Sequence, residues 1–261
     1  MTDAAIDDLL VERHDAENGQ QWLEVRFNRP AKFNAFTRAM YQELRALFVE
    51  LAQDRSVKVV VLRGAGGKAF AAGNDIEDFL AQDQVPYEAE IRSMFDALFA
   101  LPQVTIAAID GVCVGGGLAI ATHCDLRIAT PRSRFGYPIA RTLGNALSSP
   151  VLFRCASVFG EALTREMLLT ARLQSADRAY AVGALLAVTE TLDADLAELV
   201  ASIMPLSGVT LRTTKSQLAF RAAALEPVPD GEEDLLRAVY GGPDFAEGVR
   251  AFLAKEKPAF S

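Results

Sequence analysis

Residues 109 to 125 read IDGVCVGGGLAIATHCD, an apolar run that contains four glycines, three of them consecutive. The residues just before the run, VTIAA (104–108), are nearly all apolar, which is typical of a strand covered on both faces. We expect a helix to begin near Gly115, so that backbone N–H groups lie at a helix N-terminus with no Cβ in front of them. The stretch therefore predicts a strand, a turn and a helix, with amide donors suited to a negatively charged oxygen.

A similar unit precedes it in the chain. The buried strand VKVVVLRG (57–64) ends in GAGGKAFAAGND (64–75), and a helix is expected to open after Asn74 or Asp75. Turns that follow parallel strands meet at one end of a sheet, so one amide from each turn could form an oxyanion hole for a thioester enolate. The alternative is that the glycines serve only close packing, and composition alone leaves both interpretations open.

Other uses of the glycines fit less well. Neither turn has the G-x-G-x-x-G spacing of a dinucleotide site, and GGKA lacks the first glycine and the hydroxyl after Lys68 that a P-loop needs. A membrane span over residues 104–124 is opposed by Asp110, by the glycine triplet, and by Thr122 and His123 at its end. We expect no membrane span here.

The order of the predicted elements defines the fold class. An alternating strand, QWLEVRF (21–27), is followed by a helix with Thr37 as its N-cap, and a further helix is expected from about Tyr87 to Ala100. Residues 175–183 predict a capped helix, and residues 193–257 predict three or four amphipathic helices. The sequence therefore predicts an α/β protein with a parallel sheet over residues 1–190 and a helical region over 191–261.

Composition narrows the range of partners and compartments. The chain has 261 residues and a formal charge of −8, with a pI near 4.9, so neither nucleic acid nor an anionic membrane is an expected partner. Cys113, Cys124 and Cys155 stand among apolar neighbours, and we expect them to be buried and unpaired. The N-terminal residues lack the pattern of a signal peptide, so we expect a cytoplasmic protein.

Six segments, in order and spacing, resemble the crotonase superfamily, also called the enoyl-CoA hydratase/isomerase family. They are FNRPAKFNAF (27–36), KAFAAGNDIEDF (68–79), IDGVCVGGGLAIATHCDLRIA (109–129), RFGYP (134–138), LLTARLQSADRAYAVGALLAVT (168–189) and KPAFS (257–261). The resemblance covers essentially the whole chain. It implies a crotonase-like spiral of ββα units with a helical C-terminal trimerisation region, assembled as a homotrimer or a dimer of trimers.

The resemblance also implies a ligand and a site. The expected ligand is an acyl-CoA thioester, with coenzyme A as part of the substrate and with no separate cofactor and no metal. The expected oxyanion donors are the backbone N–H groups of Asn74 and Gly116. Further contacts with the substrate or with coenzyme A are expected from Lys32, Lys68, Ala72, Asp75, Ile76, Tyr137, Ile139, Lys257 and Phe260.

The sequence departs from the family pattern at the proton-transfer positions. Where the hydratases carry two glutamates, this chain has Ala119 and Ile139, and residues 146–148 offer no carboxylate or phenol in their stead. Arg141 could stabilise charge or clamp a carboxylate, or it could be a structural arginine or one that contacts coenzyme A. Asn145 could orient a water molecule or a carbonyl group, or it could simply be a turn residue after Gly144. Both are candidate catalytic residues.

The sequence thus predicts an enzyme of the enoyl-CoA hydratase/isomerase type, a lyase or isomerase, that stabilises a thioester enolate without the usual glutamates. One alternative is a lyase or decarboxylase that needs no protein carboxylate. The other is a homologue that binds acyl-CoA without turnover. Among the remaining polar residues, Asp125 resembles a structural aspartate of the family, and His123 is expected to be packed in the core and not to act as a base.

Overall fold

The computed structural model describes residues 7–16, 19–81 and 83–261. Within them ten strands form two sheets, one of six strands in the order β1-β2-β3-β5-β7-β10 and one of four in the order β4-β6-β8-β9. All pairs are parallel except β1 with β2 and β8 with β9. The strands are β1 (Leu9–Asp15), β2 (Gln21–Phe27), β3 (Val57–Gly64), β4 (Ala69–Ala71), β5 (Val104–Ile109), β6 (Val112–Val114), β7 (Leu126–Ala129), β8 (Arg134–Gly136), β9 (Gln174–Ser175) and β10 (Ala187–Val188).

Helices surround the sheets and make up most of the second half of the chain. Those described are α1 (Arg38–Leu51), α2 (Ile76–Leu80), α3 (Gln84–Phe99), α4 (Gly116–His123), α5 (Ser149–Phe159), α6 (Glu161–Thr170), α7 (Ala176–Ala181), α8 (Leu192–Ile203), α9 (Gly208–Leu225), α10 (Glu232–Tyr240) and α11 (Pro243–Ala254). Two short 3₁₀ helices, Pro30–Lys32 and Pro138–Arg141, lie between them. The four helices α8 to α11 form the helical C-terminal region that the sequence predicts.

The strands and helices repeat as ββα units. β3, β5 and β7 each add a strand to the large sheet, and β4, β6 and β8 follow them directly in the small sheet, with helices after each pair. Each unit places one strand in each sheet beside the corresponding strand of the previous unit, so the chain winds as a spiral. The predicted α/β class, the spiral of ββα units and the helical C-terminal region are confirmed.

Residues 104–124 do not form a single apolar helix. They are divided between β5, β6 and α4, so the two strands interrupt the apolar run before its helix begins. In the part of the chain that the structure describes, no single helix combines the length and apolar composition that a membrane span needs. α8 and α9 satisfy that criterion only as a pair, which is bent by 104° at the break.

Local chemistry sets the helix boundaries. The Thr37 side chain accepts a hydrogen bond from the Met40 amide at 3.3 Å and begins α1, as predicted. Asp75 and Ser175 cap α2 and α7 in the same way. The helix predicted from about Tyr87 begins instead at Gln84, because Pro86 fits within a first helical turn, where its missing N–H costs nothing.

The turn between β5 and β6 requires a glycine. Gly111 has φ +79°, and a Cβ there would lie 2.1 Å from the Lys68 carbonyl oxygen. This close approach holds the β5–β6 turn against the start of β4, and the Val112 amide donates to the same carbonyl at 3.1 Å. Consecutive ββα units are therefore joined backbone to backbone at the starts of β4 and β6, the two strands that lead into Gly73 and Gly115.

Two apolar clusters form the core. The larger one includes side chains of α1, α3, α4 and both sheets, and the smaller one lies between the other face of the large sheet and α8. Cys113, Cys124 and Cys155 are buried and unpaired, as predicted. Burial raises the pKa of the Cys124 thiol to about 12, so it packs as a small neutral side chain.

A charged contact joins the C-terminal region to the core. Asp125 Oδ2 accepts hydrogen bonds from the Thr105 amide at 2.7 Å and from Lys215 Nζ of α9 at 2.6 Å. Lys215 Nζ also donates to the Gln103 carbonyl at 2.5 Å. Since Lys215 is mostly buried, its ammonium group depends on these two acceptors for the solvation that it loses.

We expect Asp125→Ala to lower the free energy of unfolding by about 2–4 kcal/mol, because it leaves the Lys215 ammonium group without its carboxylate. Urea denaturation followed by circular dichroism measures the change. The matched control is Glu161→Ala, which breaks an exposed pair with Arg165 on α6 and should cost about 0.5 kcal/mol or less. Equal effects of the two changes would contradict a structural role for Asp125.

Candidate active site

The two glycine turns touch each other. Gly73 follows β4 and Gly115 follows β6, and these strands are parallel neighbours in the small sheet. A Cβ on Gly73 would lie 3.4 Å from the amide nitrogen of Gly116, and a Cβ on Gly115 would lie 3.3 Å from Gly73 Cα. Gly115 has φ +55° and ψ −128°, a conformation that residues with side chains rarely adopt. The meeting of the turns that the sequence predicts is therefore present.

Each turn carries an amide without an acceptor. Phe36 pairs with the first turn by donating to the Gly73 carbonyl and accepting from the Asp75 amide, both at 2.8 Å. This bridge makes the intervening N–H of Asn74 point away from Phe36. Gly116 is the first residue of α4, where an amide has no acceptor within the helix. Neither amide donates a hydrogen bond to any residue that the structure describes.

A neutral tyrosine fixes the Asn74 side chain. The Tyr41 hydroxyl of α1 donates to Asn74 Oδ1 at 2.6 Å. Burial raises the pKa of Tyr41 well above its usual range, so the hydroxyl keeps its proton. The space beside it is narrow, because a Cβ on Gly116 would lie 2.3 Å from the Tyr41 hydroxyl oxygen and 3.0 Å from Asn74 Oδ1.

A cavity of about 130 Å³ opens beside the two turns. Side chains of Phe79, Ile91 and Phe95 form apolar parts of its wall. Seven predicted site residues and glutamate-position residues line it, namely Ala72, Asn74, Ile76, Gly116, Ala119, Ile139 and Asn145. The structure thus brings together both expected amide donors and the two uncharged residues at the expected glutamate positions.

Two predicted contact residues, Tyr137 and Asp75, and the candidate catalytic residue Arg141 do not line this cavity. Tyr137 is fully buried, and its ring belongs to the large apolar cluster. Asp75 caps α2 and accepts from Arg29 Nη2 at 2.9 Å, so its carboxylate is engaged on the other side of the turn. Arg141 ends a 3₁₀ helix and is exposed. The neighbours of a turn residue fix its side-chain direction, and the sequence does not show them.

The residues expected to contact coenzyme A lie outside the cavity. Lys32, Lys68 and Lys257 are exposed, and Lys32 Nζ is 4.0 Å from a Glu77 carboxylate oxygen. Phe260 is half-buried, and its ring lies 3.2 Å from the Cβ position of Gly144. The C-terminal residues therefore fold back against the loop that follows the second 3₁₀ helix.

Glu88 is the residue that the sequence reading missed. Among the described residues that line the cavity, it carries the one carboxyl group. Tyr240 of α10 donates to Glu88 Oε1 at 2.7 Å. Burial raises the pKa of Glu88, the carboxylate of Glu232 adds to the rise, and the Tyr240 hydrogen bond opposes it.

A signal for Glu88 is present in the sequence. It precedes Ile91 by three residues and Phe95 by seven, so all three share one face of α3. Ile91 and Phe95 are buried core residues. A carboxylate on an apolar helix face needs a partner or a function, and this pattern could have identified Glu88 before the structure.

His123 is a packed residue and not a base. Its ring stacks on Phe95 with centroids 4.9 Å apart, and Nδ1 lies 2.7 Å from the Ala119 carbonyl oxygen. Burial lowers the pKa of His123 to about 4, so the imidazole is neutral at physiological pH. Among the residues that the structure describes, no three His, Cys, Asp or Glu side chains group as a metal site would require.

His123 should make stability depend on pH. The imidazole has a pKa near 6.5 when exposed and about 4 in the fold, so between these values the unfolded chain binds a proton that the folded chain does not. The free energy of unfolding should therefore fall as the pH is lowered through this window, by up to about 3 kcal/mol. Urea denaturation across the window should give a shallower pH dependence for His123→Gln. An identical slope in both proteins would contradict the assignment.

The narrow space at Gly116 should show in a pair of variants. Gly116→Ala should lower the free energy of unfolding by about 1–3 kcal/mol, because the new methyl group collides with the Tyr41 hydroxyl. Adding Tyr41→Phe should recover part of that loss by removing the oxygen. The control is Gly208→Ala, whose methyl group would meet only the flexible end of Arg212 at 3.0 Å. Strictly additive effects of the two changes would argue against this contact.

Comparisons with known proteins show the family and the fold. The family model described as Enoyl-CoA hydratase/isomerase matches residues 17–261. The crotonyl-CoA hydratase of Syntrophomonas wolfei is 29% identical to this chain over 257 residues, which cover 94% of this chain and 96% of that protein. The crystal structure of an enoyl-CoA hydratase/carnithine racemase from Magnetospirillum magneticum is 36% identical and superposes with a TM-score of 0.78, covering 98% of this chain and 96% of that one.

A second solved structure shares the fold still more closely. It is a methylmalonyl-CoA decarboxylase in complex with 2-nitronate-propionyl-CoA, with a TM-score of 0.87 at 25% identity, and it covers 98% of this chain and 99% of that one. The family match extends over nearly the whole chain, including the residues that form the two glycine turns and the cavity beside them. The protein therefore belongs to the enoyl-CoA hydratase/isomerase family and has the crotonase fold.

Proposed function

We propose that this protein is an acyl-CoA enzyme in which the amides of Asn74 and Gly116 form an oxyanion hole. The observation that carries the proposal is the contact between the two turns, where the Cβ position of Gly73 lies 3.4 Å from the Gly116 nitrogen. Two adjacent amide donors stabilise a thioester carbonyl as it becomes an enolate, because they are fixed before the charge develops. Both residues line the same cavity.

The substrate class rests on the relatives. Crotonyl-CoA hydratase and the decarboxylase complex are both named for coenzyme A thioesters. We therefore propose an acyl-CoA thioester as substrate, with coenzyme A as part of it and no separate cofactor. The apolar walls near Ile76 and Ile91 suit an acyl chain.

Coenzyme A would extend from the cavity over the surface. Lys32, Lys68 and Lys257 are proposed to meet its phosphates, since they are exposed and positively charged. Phe260 is proposed to contact the adenine of a coenzyme A bound at a neighbouring subunit. α9 supports such an assembly, because it exposes Val209, Leu218, Phe220 and Leu225, and Phe220 is 75% exposed. We propose a cytoplasmic homotrimer or dimer of trimers.

Two reactions fit this site. Hydration or isomerisation of an enoyl thioester is the chemistry for which the family model is named. Decarboxylation is the second candidate, favoured by the TM-score of 0.87 with methylmalonyl-CoA decarboxylase. It is also favoured by Ala119 and Ile139, which line the cavity and cannot transfer a proton. Loss of CO₂ leaves the same enolate, so the amides of Asn74 and Gly116 would serve either reaction.

The oxyanion proposal is tested by removing one amide. In a Tyr41→Phe background, which makes room at residue 116, Gly116→Pro should lower kcat/KM by about 10²–10³-fold, because it deletes one N–H donor. The substrates are crotonyl-CoA, followed by loss of the enoyl thioester, and methylmalonyl-CoA, followed by release of CO₂. The matched control is Gly116→Ala in the same background, which adds a Cβ but keeps the amide.

The outcomes separate the alternatives. Equal activity of the proline and alanine variants would contradict the oxyanion role. Turnover of crotonyl-CoA alone would identify a hydratase or isomerase, and turnover of methylmalonyl-CoA alone would identify a decarboxylase. Tight binding of both thioesters without turnover of either would indicate a binding protein.

A further inference from the structure

We propose that Glu88 is the catalytic proton carrier of this cavity, and that Tyr240 is its positioning residue. The carboxyl group would take a proton from the α-carbon of the bound thioester and return it. The inference deepens the proposed function and depends on it, because the proton becomes removable only when the amides of Asn74 and Gly116 stabilise the enolate.

Glu88 lies in the same cavity as the two proposed amide donors. It lines the cavity together with Asn74 and Gly116, on whose amides the thioester oxygen would rest. Ala119 and Ile139 line the same cavity and have no ionisable group. A base that acts here must therefore come from another element, and α3 supplies the carboxyl group.

Tyr240 fixes the orientation of that carboxyl group. Its hydroxyl donates to Oε1, which leaves Oε2 without a donor among the described residues. The ring of Tyr240 is held by Phe245 and Phe79, at centroid distances of 5.0 and 6.1 Å. Asn145, which also lines the cavity, lies near Tyr240, and its side chain acts to lower the pKa of that tyrosine.

The charges around Glu88 suit a group that exchanges a proton. Burial and the negative charge of Glu232 raise the pKa of Glu88, and the Tyr240 hydrogen bond restrains the rise. Burial, with a smaller contribution from the charge of Glu88, raises the pKa values of Tyr41 and Tyr87, so both tyrosines stay neutral. A carboxyl group shifted toward neutrality is a stronger base when ionised and a usable acid when protonated.

A neighbouring cleft to which Glu88 also contributes contains charges of both signs. It is lined by two cations, Arg92 and Arg237, and by the acidic residues Asp230, Glu232 and Glu233. Neither arginine donates a hydrogen bond to the Glu88 carboxyl group in the part of the chain that the structure describes. The hydroxyl of Tyr240 therefore provides the direct polar contact with this carboxyl group.

The proposed proton transfer conserves atoms and electron pairs. Glu88 Oε2 forms a bond to the α-proton of the thioester while the Cα–H bond breaks. The electron pair of that bond becomes the Cα–C π bond, and the carbonyl π pair moves onto the oxygen held by the two amides. In the reverse direction the protonated carboxyl group returns the proton to the α-carbon. No oxidant, reductant or second substrate is consumed.

The test isolates this step by using saturated thioesters. Acetyl-CoA and butyryl-CoA are incubated with the protein in D₂O, and deuterium incorporation at the α-carbon is followed by mass spectrometry. Glu88→Gln should lower the exchange rate by about 10²-fold or more, the usual contribution of a general base. Its affinity for the thioester, measured by calorimetry, should stay close to that of the wild type.

A matched control lies on the same helix. Glu90 is two residues further along α3, pairs with Arg38 and does not line the cavity. Glu90→Gln should keep the wild-type exchange rate. Glu88→Asp, which retains a shortened carboxyl group, should exchange at an intermediate rate, and it provides a second reading if the glutamine variant folds poorly.

Tyr240→Phe tests the positioning role through the pH dependence of the exchange rate, which loss of a purely structural contact would not shift. Loss of its hydrogen bond should raise the pKa of Glu88 further, so the acidic limb of the exchange profile should move to higher pH by about one unit. An unmoved limb would overturn the positioning role of Tyr240.

Failure of the two proposals can be told apart. Exchange by Glu88→Gln at the wild-type rate overturns the role of Glu88 and leaves the oxyanion proposal intact. A wild-type protein that binds the thioesters but exchanges no α-proton also overturns the role of Glu88. A wild-type protein that neither binds nor exchanges them overturns the proposed function itself.

Discussion

The approach of two backbone turns is the constraint on which the site depends. Gly73 and Gly115 bring the turn after β4 and the turn after β6 into van der Waals contact, so that no side chain separates the Asn74 and Gly116 amides from the cavity. A Cβ at either position would push the turns apart or would need a strained backbone, since both glycines have positive φ. The rest of the fold can be understood as the means of holding these two turns in contact.

The two sheets hold the glycine turns in contact. β4 and β6 are short, but each is the continuation of a long buried strand, β3 or β5, that belongs to the six-stranded sheet. The spiral repeats this arrangement at a fixed offset, so corresponding turns of successive units lie side by side. The Asp125 and Lys215 contact then fixes α9 to the start of β7. The C-terminal helices are thereby held against the same core that carries the turns.

The polar groups near the turns are mostly neutral. Tyr41, Asn74 and His123 form hydrogen bonds without carrying charge, since burial shifts the pKa values of the tyrosine and the histidine away from ionisation at physiological pH. Among the described residues that line the cavity, Glu88 carries the one carboxyl group, and that group is held by Tyr240 of α10, which lies far away in the sequence. In the proposed chemistry, the amides of the turns after β4 and β6 stabilise the negative charge of the enolate. Glu88 of α3, held by Tyr240 of α10, transfers the proton.

The sequence by itself determined the periodic and local features. β3 and β5 are covered on both faces, so their sequences are mostly apolar and do not alternate with polar residues. Side chains that accept from nearby amides mark the starts of α1, α2 and α7. Both features are visible in a single segment. The tertiary structure decided which polar side chains face the cavity. Tyr137 points into the core, Arg141 points outward, and Glu88 meets a hydroxyl 152 residues away. A periodic pattern within α3 or α10 cannot predict the contact between these two helices, because the contact forms only when the C-terminal helices pack on the spiral.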